Sequence, residues 1–438
     1  MNLKDNHSFA YKVVFIFVGI TPLLDSLNGF ITMYLPGPLE QFVPAVRLFI
    51  LILMLFCIFS LNFSAFCYDT ITIFLVISIV FLQSFFIDPT NNQYVSQNMS
   101  QALKVCYFCI LLDYFLLISK KNDIFSDIMR IVRVISYSMP LLIIFPKELG
   151  LGRQTYESSN FGSSGFFIAN NSSNFTLIIS TFLLVFLIGN DIYTKSKIFD
   201  FIFLILSFYA LYLQSTKSGL IMIGIILSIS IFKFFNMLIH KITIVKSLFL
   251  VFSILFFFFL VILILSKINY ILYIISTSLS SLIERQRYLY QISGGNLFEV
   301  ITSGRISNLN SIFNYFSQKP NYGVLILGAG QGYIANQIGH ISEMDFFDLY
   351  FYFGILGVFI TYVKSIMSIM KVRIFSLNYI SIKLMILFSF IYSFFAGHVF
   401  VEIISSTMII LLIMILITGY ERLTSLKKIF NENQVIEK

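Results

Sequence analysis

The chain has little charge and few cysteines for its length. Of its 438 residues, 11% are charged and 58% are hydrophobic, whereas a soluble domain is about 25% charged and about 45–50% apolar. This composition excludes an ordinary soluble domain. The four cysteines lie in or beside apolar segments, and Cys106-x-x-Cys109 has no histidine or second cysteine pair to complete a metal site. Neither a disulfide framework nor a zinc site is therefore predicted.

Three further patterns are missing. The chain has no Asp-x-Asp pair of the kind that holds a metal-bound nucleotide sugar, so we expect no nucleotide-sugar donor, no metal and no cofactor. The glycine-rich turn Gly328–Gly332 lacks the lysine and hydroxyl pair of a P-loop, and close backbone packing is the better interpretation. Met1–His7 is polar and the first apolar run has no A-x-A-like exit, so the first span should not be cleaved.

Runs of about 20 apolar residues recur from end to end, which predicts an all-α polytopic membrane protein. The chain is expected to form a single integral membrane domain over 1–438, with about 12 transmembrane helices. The predicted spans are 11–34, 43–61, 70–87, 102–118, 128–145, 174–190, 198–213, 218–239, 245–266, 346–366, 380–396 and 399–418.

The Lys and Arg residues predict the orientation of these spans. The formal net charge is +8, but the basic residues sit between spans rather than on one folded face, so no nucleic acid is expected as a partner. With a cytoplasmic N-terminus, 19 of the 29 Lys and Arg residues fall in cytoplasmic segments. Both termini are therefore predicted to be cytoplasmic, with residues 419–438 as a cytoplasmic tail.

Two outer loops are long, and the larger one, 267–345, lies between spans nine and ten. Residues 269–292 alternate apolar clusters with Arg285 and Arg287, as expected of a helix on the membrane surface that ends at Gly294-Gly295. A short helix should follow and stop at Lys319-Pro320. Its apolar face is predicted to hold Ile306, Leu309, Ile312, Phe313 and Phe316. The long outer loop is thus predicted to be partly helical.

Charged side chains at the outer face are the candidates for chemistry, because cations outside oppose the positive-inside tendency. An anionic ligand would account for them, since Arg grips phosphate oxygens with a planar fork. Two alternatives stay open: Arg285 and Arg287 could contact lipid headgroups, and Asp345 and Asp348 could cap the tenth span. The candidates are Arg153, Lys217, Arg285, Arg287, Arg305, Lys319, Glu343, Asp345 and Asp348.

Three acids fall inside the predicted spans. Asp25, Asp113 and Glu402 could serve a proton or ion path, but each is near a span end and could instead bond to a neighbouring helix. His398 is interpreted as a hydrogen-bonded residue of a helix interface. A transporter or flippase of lipid-linked oligosaccharide is one alternative that these acids keep open.

Five outer segments in this order resemble the O-antigen polymerase (Wzy) family, within the wider group of O-antigen ligases and polymerases. The resemblance covers most of the chain as a pattern and about 150–345 as motifs. The segments are Arg153 followed by GFFIANNSSN, STKSG at 215–219, SGRIS at 303–307, LGAGQG at 327–332 and EMDFFDLYFYFGILG at 343–357.

The resemblance implies an extracytoplasmic glycosyltransferase that polymerises undecaprenyl-diphosphate-linked oligosaccharide repeats into O-antigen or capsular polysaccharide. It implies a multi-pass protein of the bacterial inner membrane with a periplasmic active face, embedded in membrane lipid, and a separate chain-length regulator as partner. Arg153, Lys217 and Arg305 would bind diphosphate or orient the donor, and Glu343 would assist the acceptor hydroxyl. The roles of Glu343 and Arg305 are then catalytic.

Four further residues, Arg285, Arg287, His340 and Asp345, are predicted to bind substrate. The O-antigen ligase is the second alternative. Ligases carry a histidine about eleven residues before the Gly-x-x-Gly of the span, and that position here, counted back from Gly354, is Glu343. His340 lies nearby but is followed by Ile341, which favours the polymerase.

Overall fold

The structure, a computed structural model, is built from helices. It describes residues 3–86, 93–156, 162–189, 197–226, 228, 286–288, 290–291, 293–318, 322–370 and 379–436. Within these ranges the extended backbone is limited to one isolated antiparallel bridge between Arg153 and Gly165.

The helices are numbered here in chain order. They are α1 (Leu3–Gly19), α2 (Thr21–Tyr34), α3 (Phe42–Leu61), α4 (Phe63–Phe86), α5 (Gln93–Ser119), α6 (Phe125–Glu148), α7 (Asn170–Gly189), α8 (Lys197–Gln214), α9 (Lys217–Ile226), α10 (Leu297–Thr302), α11 (Arg305–Gln318), α12 (Tyr322–Leu327), α13 (Gln331–Ile338), α14 (Asp345–Val358), α15 (Lys364–Met370), α16 (Ile380–Ala396) and α17 (Ile403–Ile436). A π-helical turn, Phe359–Val363, joins α14 to α15.

Eight helices of the described ranges are long and apolar enough to cross a membrane, and α1 with α2 makes a ninth, bent span. The chain is therefore an all-α protein embedded in a membrane. α9 covers the start of the predicted eighth span and α16 matches the eleventh, while the ninth, 245–266, lies outside the described residues. The total of about twelve spans remains a prediction.

The first span is bent by 58° between Gly19 and Thr21. Pro22 stands at the first turn of α2, and a proline there has no N–H to donate back and its ring clashes with the carbonyl four residues earlier. Gly29 on α2 packs directly against the backbone of Phe166, so a side chain at Gly29 would collide with it. The bend thus brings α2 under the segment that follows α6.

Three helices form the centre of the bundle. In α5, α7 and the membrane part of α17, 67%, 89% and 94% of the most apolar window is buried, against 28% in α4. Large apolar residues on the outer helices, such as Phe74 and Phe85 of α4, are mostly exposed. Exposed apolar side chains in this quantity are favourable only against lipid tails.

The ends of the helices define two faces. The loop face is the end of the bundle at which α6, α8 and α16 finish and α7, α14 and α17 begin. The opposite face holds the α3–α4 turn, the end of α5 and the start of α8.

The long predicted loop carries α10 to α13 on the loop face. The predicted short helix is confirmed as α11, which ends at Gln318 and buries Leu309 and Ile312. Phe313, on the same side of α11, contacts the rings of Phe347 and Phe351 on α14. The predicted surface helix is described only at 286–288 and 290–291, which are helical, and a turn at Gly294-Gly295 follows.

Several predicted boundaries move, among them the third span, which starts at Phe63 rather than 70, and the fourth, which starts at Gln93 rather than 102. Span twelve starts at Ile403 rather than 399, because residues 397–402 form an irregular turn. At the other end, α17 continues to Ile436, so the predicted tail 419–438 is helical through Ile436. Helical backbone bonds are satisfied within the segment itself, so a helix can continue past the membrane boundary.

Candidate functional site

The centre of the loop face is an ion pair between Arg305 and Glu343. Arg305 Nη2 donates to Glu343 Oε2 at 3.2 Å, and Arg305 Nη1 reaches the carbonyl of Phe395 at 3.5 Å. The Arg305 side chain is 14% exposed while that of Glu343 is 45% exposed. Arg305 Nε is buried without a hydrogen-bond partner. The pair therefore combines an accessible carboxylate with unused donor capacity on the guanidinium.

Lys217 connects two of the sequence motifs that are distant in the chain. It opens α9 directly after the STK turn, and its Nζ donates to the carbonyl of Val300 at 2.6 Å and to Ser303 Oγ at 3.2 Å. Arg305 follows Ser303 by two residues. The STKSG and SGRIS segments are thus neighbours, and Lys217 holds the turn that presents Arg305.

The segment before α14 is held by two buried carboxylates. Asp348 accepts hydrogen bonds from the Ser342 hydroxyl at 2.7 Å and from the Met344 N–H at 3.1 Å. Asp345 accepts from the backbone N–H groups of the 398–400 turn, at 2.5 Å from Val399. The residue at the helix cap is Met344. Glu343 projects from the turn that these two aspartates fix.

Asp345 was expected to bind substrate, but its carboxylate is buried and fully engaged with the backbone of 398–400. The structure gives Asp345 the task of joining the start of α14 to the turn before α17. His340, which was also expected to bind substrate, precedes Glu343 by three residues. Its Nε2 shares a hydrogen bond with Ser311 Oγ at 2.5 Å. His398 is the interface residue that was predicted, since its N–H bonds to Asp345 and its carbonyl accepts from Ser405.

Arg153 lies in a hairpin beside the end of α8. Its N–H donates to the Gly165 carbonyl at 2.6 Å, and its carbonyl accepts from the Ser164 N–H at 3.0 Å. The next residue back in the hairpin, Ser163, donates to the carbonyl of Leu213 at 2.9 Å. Leu213 precedes Lys217 by four residues, so the Arg153 hairpin borders the same corner of the loop face.

A buried polar cluster lies beneath that corner. Asn174 Nδ2 donates to Ser218 Oγ at 2.8 Å and to the Tyr392 hydroxyl at 3.1 Å, and Asn174 Oδ1 accepts from Thr216 Oγ1 at 2.7 Å. These residues come from α7, α9, α16 and the turn before α9. The GFFIANNSSN and STKSG motifs therefore meet through side chains, as their shared face predicts.

The glycine-rich turn is confirmed as a site of close backbone packing. Gly328 has φ +71° and lies against the backbone of Phe353, while Gly354 has φ +65° and lies against Ile326. Gln83 of α4 donates to the carbonyls of Leu327 and Tyr352 at 2.7 and 2.6 Å. A side chain at either glycine would collide with main-chain atoms, and positive φ disfavours it as well.

Arg287 is exposed on its short helical segment, and no contact joins it to the Arg305–Glu343 pair within the described residues. Arg285 and Lys319 lie outside the described residues. Among the residues that are described, no three His, Cys, Asp or Glu side chains group as metal ligands.

Backbone strain concentrates around the pair. Of the five non-glycine residues with positive φ in the described part of the chain, four are on the loop face: Ser215, Ser303, Glu343 and His398; the fifth is Tyr379. Left-handed backbone costs a non-glycine residue about 1–3 kcal/mol, and such residues cluster at active sites and ligand clamps. This strain is a reason to regard the loop-face turns as part of a candidate functional site.

The acids noted inside the spans all have basic partners, and sequence reasoning had missed those partners. Asp25 pairs with Arg47, and Glu402 pairs with Lys104 at 2.7 Å. Asp113 pairs with Lys364 at 2.6 Å. The available signal was a basic residue within an apolar run at Lys104. Pairing across helices, however, could not be read from one span at a time.

An apolar cavity of about 420 Å³ opens between α2, α6 and the segment that carries Arg153. Leu23, Leu27 and Phe30 line it from α2, and Leu151 and Phe166 line it from the segment that forms the bridge between Arg153 and Gly165. Its lining has Ser26 as a single hydroxyl and is otherwise hydrocarbon and aromatic. The cavity suits an alkyl chain rather than a sugar.

Together the fold and this face define a helical integral membrane protein with a polar, strained, charge-bearing site at one end. No known family model, curated protein or solved structure matches the chain. The function is therefore argued from the site.

Proposed function

We propose that this protein is an extracytoplasmic glycosyltransferase that polymerises undecaprenyl-diphosphate-linked oligosaccharide repeats into O-antigen or capsular polysaccharide. The loop face is then periplasmic or extracellular, both termini are cytoplasmic, and the membrane is the bacterial inner membrane. The observation that carries the proposal is the Arg305–Glu343 pair, a half-exposed carboxylate against a guanidinium on a strained turn.

The reaction needs a base for a sugar hydroxyl and positive charge for a diphosphate that leaves. The Glu343 carboxylate takes the proton of the acceptor hydroxyl as that oxygen bonds to the anomeric carbon of the growing chain. The bond from the anomeric carbon to the diphosphate oxygen breaks, and the electron pair leaves with the diphosphate. The Arg305 guanidinium offsets the charge that develops there.

The pairing in the resting protein fits this division of roles. A diphosphate is a stronger partner for a guanidinium than one carboxylate, because several anionic oxygens match the fork of donors. Binding of the diphosphate to Arg305 would release Glu343 from its 3.2 Å contact. The Glu343 carboxylate would then be free of its ion pair only when a donor is in place.

Arg153 is the second candidate for diphosphate binding, since it lies in the hairpin at the same corner. Lys217 and Asp345 are assigned to positioning, because Lys217 holds the 300–303 turn and Asp345 holds the 398–400 turn. Arg285 and His340 stay predictions of substrate contact, whereas Arg287, which is exposed and makes no contact with the pair within the described residues, is assigned to the lipid-headgroup alternative. No nucleotide or metal enters the reaction.

The apolar cavity supports a lipid-linked substrate. Leu151 and Phe166, which line the cavity, are close in the chain to the Arg153–Gly165 bridge, so an isoprenoid chain in the cavity would place its diphosphate toward the hairpin that carries Arg153. Burial of alkyl surface contributes about 25 cal/mol per Å². Anchoring of the lipid is then separate from recognition of the sugars.

The test is an assay of the purified protein with lipid-linked repeat in the presence of EDTA. We expect a ladder of polymer in wild type and only single repeats with Arg305→Ala at equal levels of folded protein. Transfer of repeat to lipid A core instead of polymer would indicate an O-antigen ligase. Movement of intact repeat across vesicles without any new glycosidic bond would indicate a flippase, and either result would overturn the proposal.

A further inference from the structure

A second charged cluster lies in the membrane half near the opposite face, away from the Arg305–Glu343 pair. Lys364 Nζ lies 2.6 Å from Asp113 Oδ2 and 3.6 Å from Asp69 Oδ1, and it also donates to the Cys109 carbonyl at 3.1 Å. The Asp69 side chain is 0% exposed and that of Lys364 is 12% exposed. Three helices supply one ionisable group each, which are α4, α5 and α15.

The cluster has one basic group for two acids. The remaining ionisable side chains around it, within the described residues, are Cys106 and Cys109 of α5 and Tyr68 of α4, whose ring lies 5.4 Å from Lys364 Nζ. Thiols and phenols are neutral at physiological pH. With both carboxylates ionised, the cluster would carry an uncompensated negative charge in the interior of the bundle.

Asp69 is the carboxylate of the cluster that receives no hydrogen bond. Both of its oxygens are buried and neither has a hydrogen-bond partner, and its contact with Lys364 Nζ is long, at 3.6 Å. Asp200 offers a contrast, since its carboxylate receives a two-armed guanidinium and a tyrosine hydroxyl. A buried carboxylate without hydrogen bonds takes up a proton in preference to remaining charged.

The backbone at this point is also unusual. The π-helical turn Phe359–Val363 ends one residue before Lys364, and Ile360 in that turn lies 3.9 Å, carbonyl to Sγ, from Cys109. π-helical turns inside α-helices occur frequently at functional sites. Here the turn sets the angle at which Lys364 meets α4 and α5.

We propose that Asp69, Asp113 and Lys364 form an intramembrane proton-binding site that holds one proton on Asp69. The proton makes the cluster neutral: Asp69 is a carboxylic acid, Asp113 is the anion, and Lys364 is the ammonium ion that Asp113 contacts. The acid can then donate its hydrogen to the neighbouring carboxylate. This site is independent of the reaction at the loop face.

The charge balance predicts how each substitution changes the number of protonated carboxyl groups. Asp69→Asn removes the protonated acid itself. Asp113→Asn leaves Asp69 as the single counter-ion of Lys364, so Asp69 becomes an anion. Both variants therefore have one protonated carboxyl group fewer than wild type. Lys364→Met removes the cation, so both acids hold a proton and the number rises from one to two. Asp200→Asn is the matched control, because that buried aspartate belongs to a separate ion pair with Arg133.

The measurement is infrared difference spectroscopy of the full chain in lipid at pH 7, reading the C=O stretch of protonated carboxyl groups and its shift in heavy water. Relative to wild type, we expect Asp69→Asn and Asp113→Asn each to lose the absorbance of one protonated carboxyl group. Lys364→Met should gain the absorbance of one such group, and Asp200→Asn should show no change. Asp69→Asn keeps the shape of the side chain and leaves a neutral cluster, so it should fold even where Lys364→Met does not.

Two results would overturn the proposal. The first is an unchanged protonated-carboxyl band in Asp69→Asn. The second is thermal stabilisation of wild type by sodium ions, at constant ionic strength against choline, that Asp69→Asn abolishes. The latter would assign the site to a metal cation in place of a proton.

Discussion

Two arginine–carboxylate pairs in this protein have the same chemistry and opposite surroundings. Arg133 grips Asp200 with two nitrogens at 3.1 and 3.2 Å, Tyr137 adds a third hydrogen bond at 2.5 Å, and the carboxylate is 1% exposed. Arg305 holds Glu343 by one contact at 3.2 Å, and that carboxylate is 45% exposed. In the first pair the carboxylate is saturated by hydrogen bonds within the fold. In the second pair Arg305 Nε has no hydrogen-bond partner and the Glu343 carboxylate is accessible.

The backbone shows the same difference. Arg133 and Asp200 sit within regular helices α6 and α8, whereas Glu343 has φ +56° on a turn and Arg305 follows a left-handed Ser303. A pair that served stability alone would gain nothing from strained turns or from an accessible oxygen. The comparison therefore separates a structural ion pair from a candidate reactive one, and four substitutions test whether this distinction holds.

The largest effect is expected on catalysis from Glu343→Gln, which keeps size and removes the base. Loss of a general base lowers a rate by about 10²–10⁴-fold. The measurement is the rate of chain elongation with purified lipid-linked repeat, beside thermal unfolding of the same sample. Elongation at the wild-type rate in a folded Glu343→Gln protein would remove Glu343 from the chemistry.

The next effect concerns stability, from Asp200→Ala in the opposite pair. Removing one partner of a buried ion pair costs about 3–5 kcal/mol, because Arg133 is left buried without its counter-charge. Thermal or denaturant unfolding in detergent measures it. Glu343→Ala is the matched control and should change stability by less than about 1 kcal/mol, as exposed pairs do; equal losses in the two variants would erase the distinction between the pairs.

A smaller change is expected from Arg305→Lys, which keeps the charge and loses the planar fork. Elongation should slow by about tenfold, close to one charged hydrogen bond of about 1.5 kcal/mol. The check is the apparent affinity for lipid-linked donor together with the maximal rate. A wild-type affinity and rate would show that positive charge alone suffices at this position.

The smallest effect is expected from Arg287→Ala. Arg287 is exposed and makes no contact with the Arg305–Glu343 pair within the described residues. Substitutions at such surface positions change the free energy of unfolding by no more than about 0.5 kcal/mol. Elongation by Arg287→Ala, assayed with the same lipid-linked repeat, should match wild type within about twofold. A loss comparable to that of Arg305→Lys would place Arg287 in the substrate site, as the sequence suggested.

The fold was largely predictable from local patterns. The predicted spans 43–61 and 380–396 match α3 and α16 to within a residue, since an apolar run of this length has few stable forms in lipid other than a helix. The bend of the first span was not predicted, although Pro22 was visible in the sequence. Nor was the irregular 397–402 turn, which depends on Asp345, more than 50 residues earlier in the chain.

The amino-acid sequence alone is enough to predict that this chain lies in a membrane as helices, and it identifies Arg305 and Glu343 as charges on one side of the membrane. Hydrophobic length and charge distribution are local properties, so one chain suffices to find them. Only the tertiary structure decided which charges meet: Arg305 with Glu343, and Lys364 with Asp113 and Asp69. Such pairs form between helices far apart in the chain, and helix packing, not local periodicity, sets which side chains face each other.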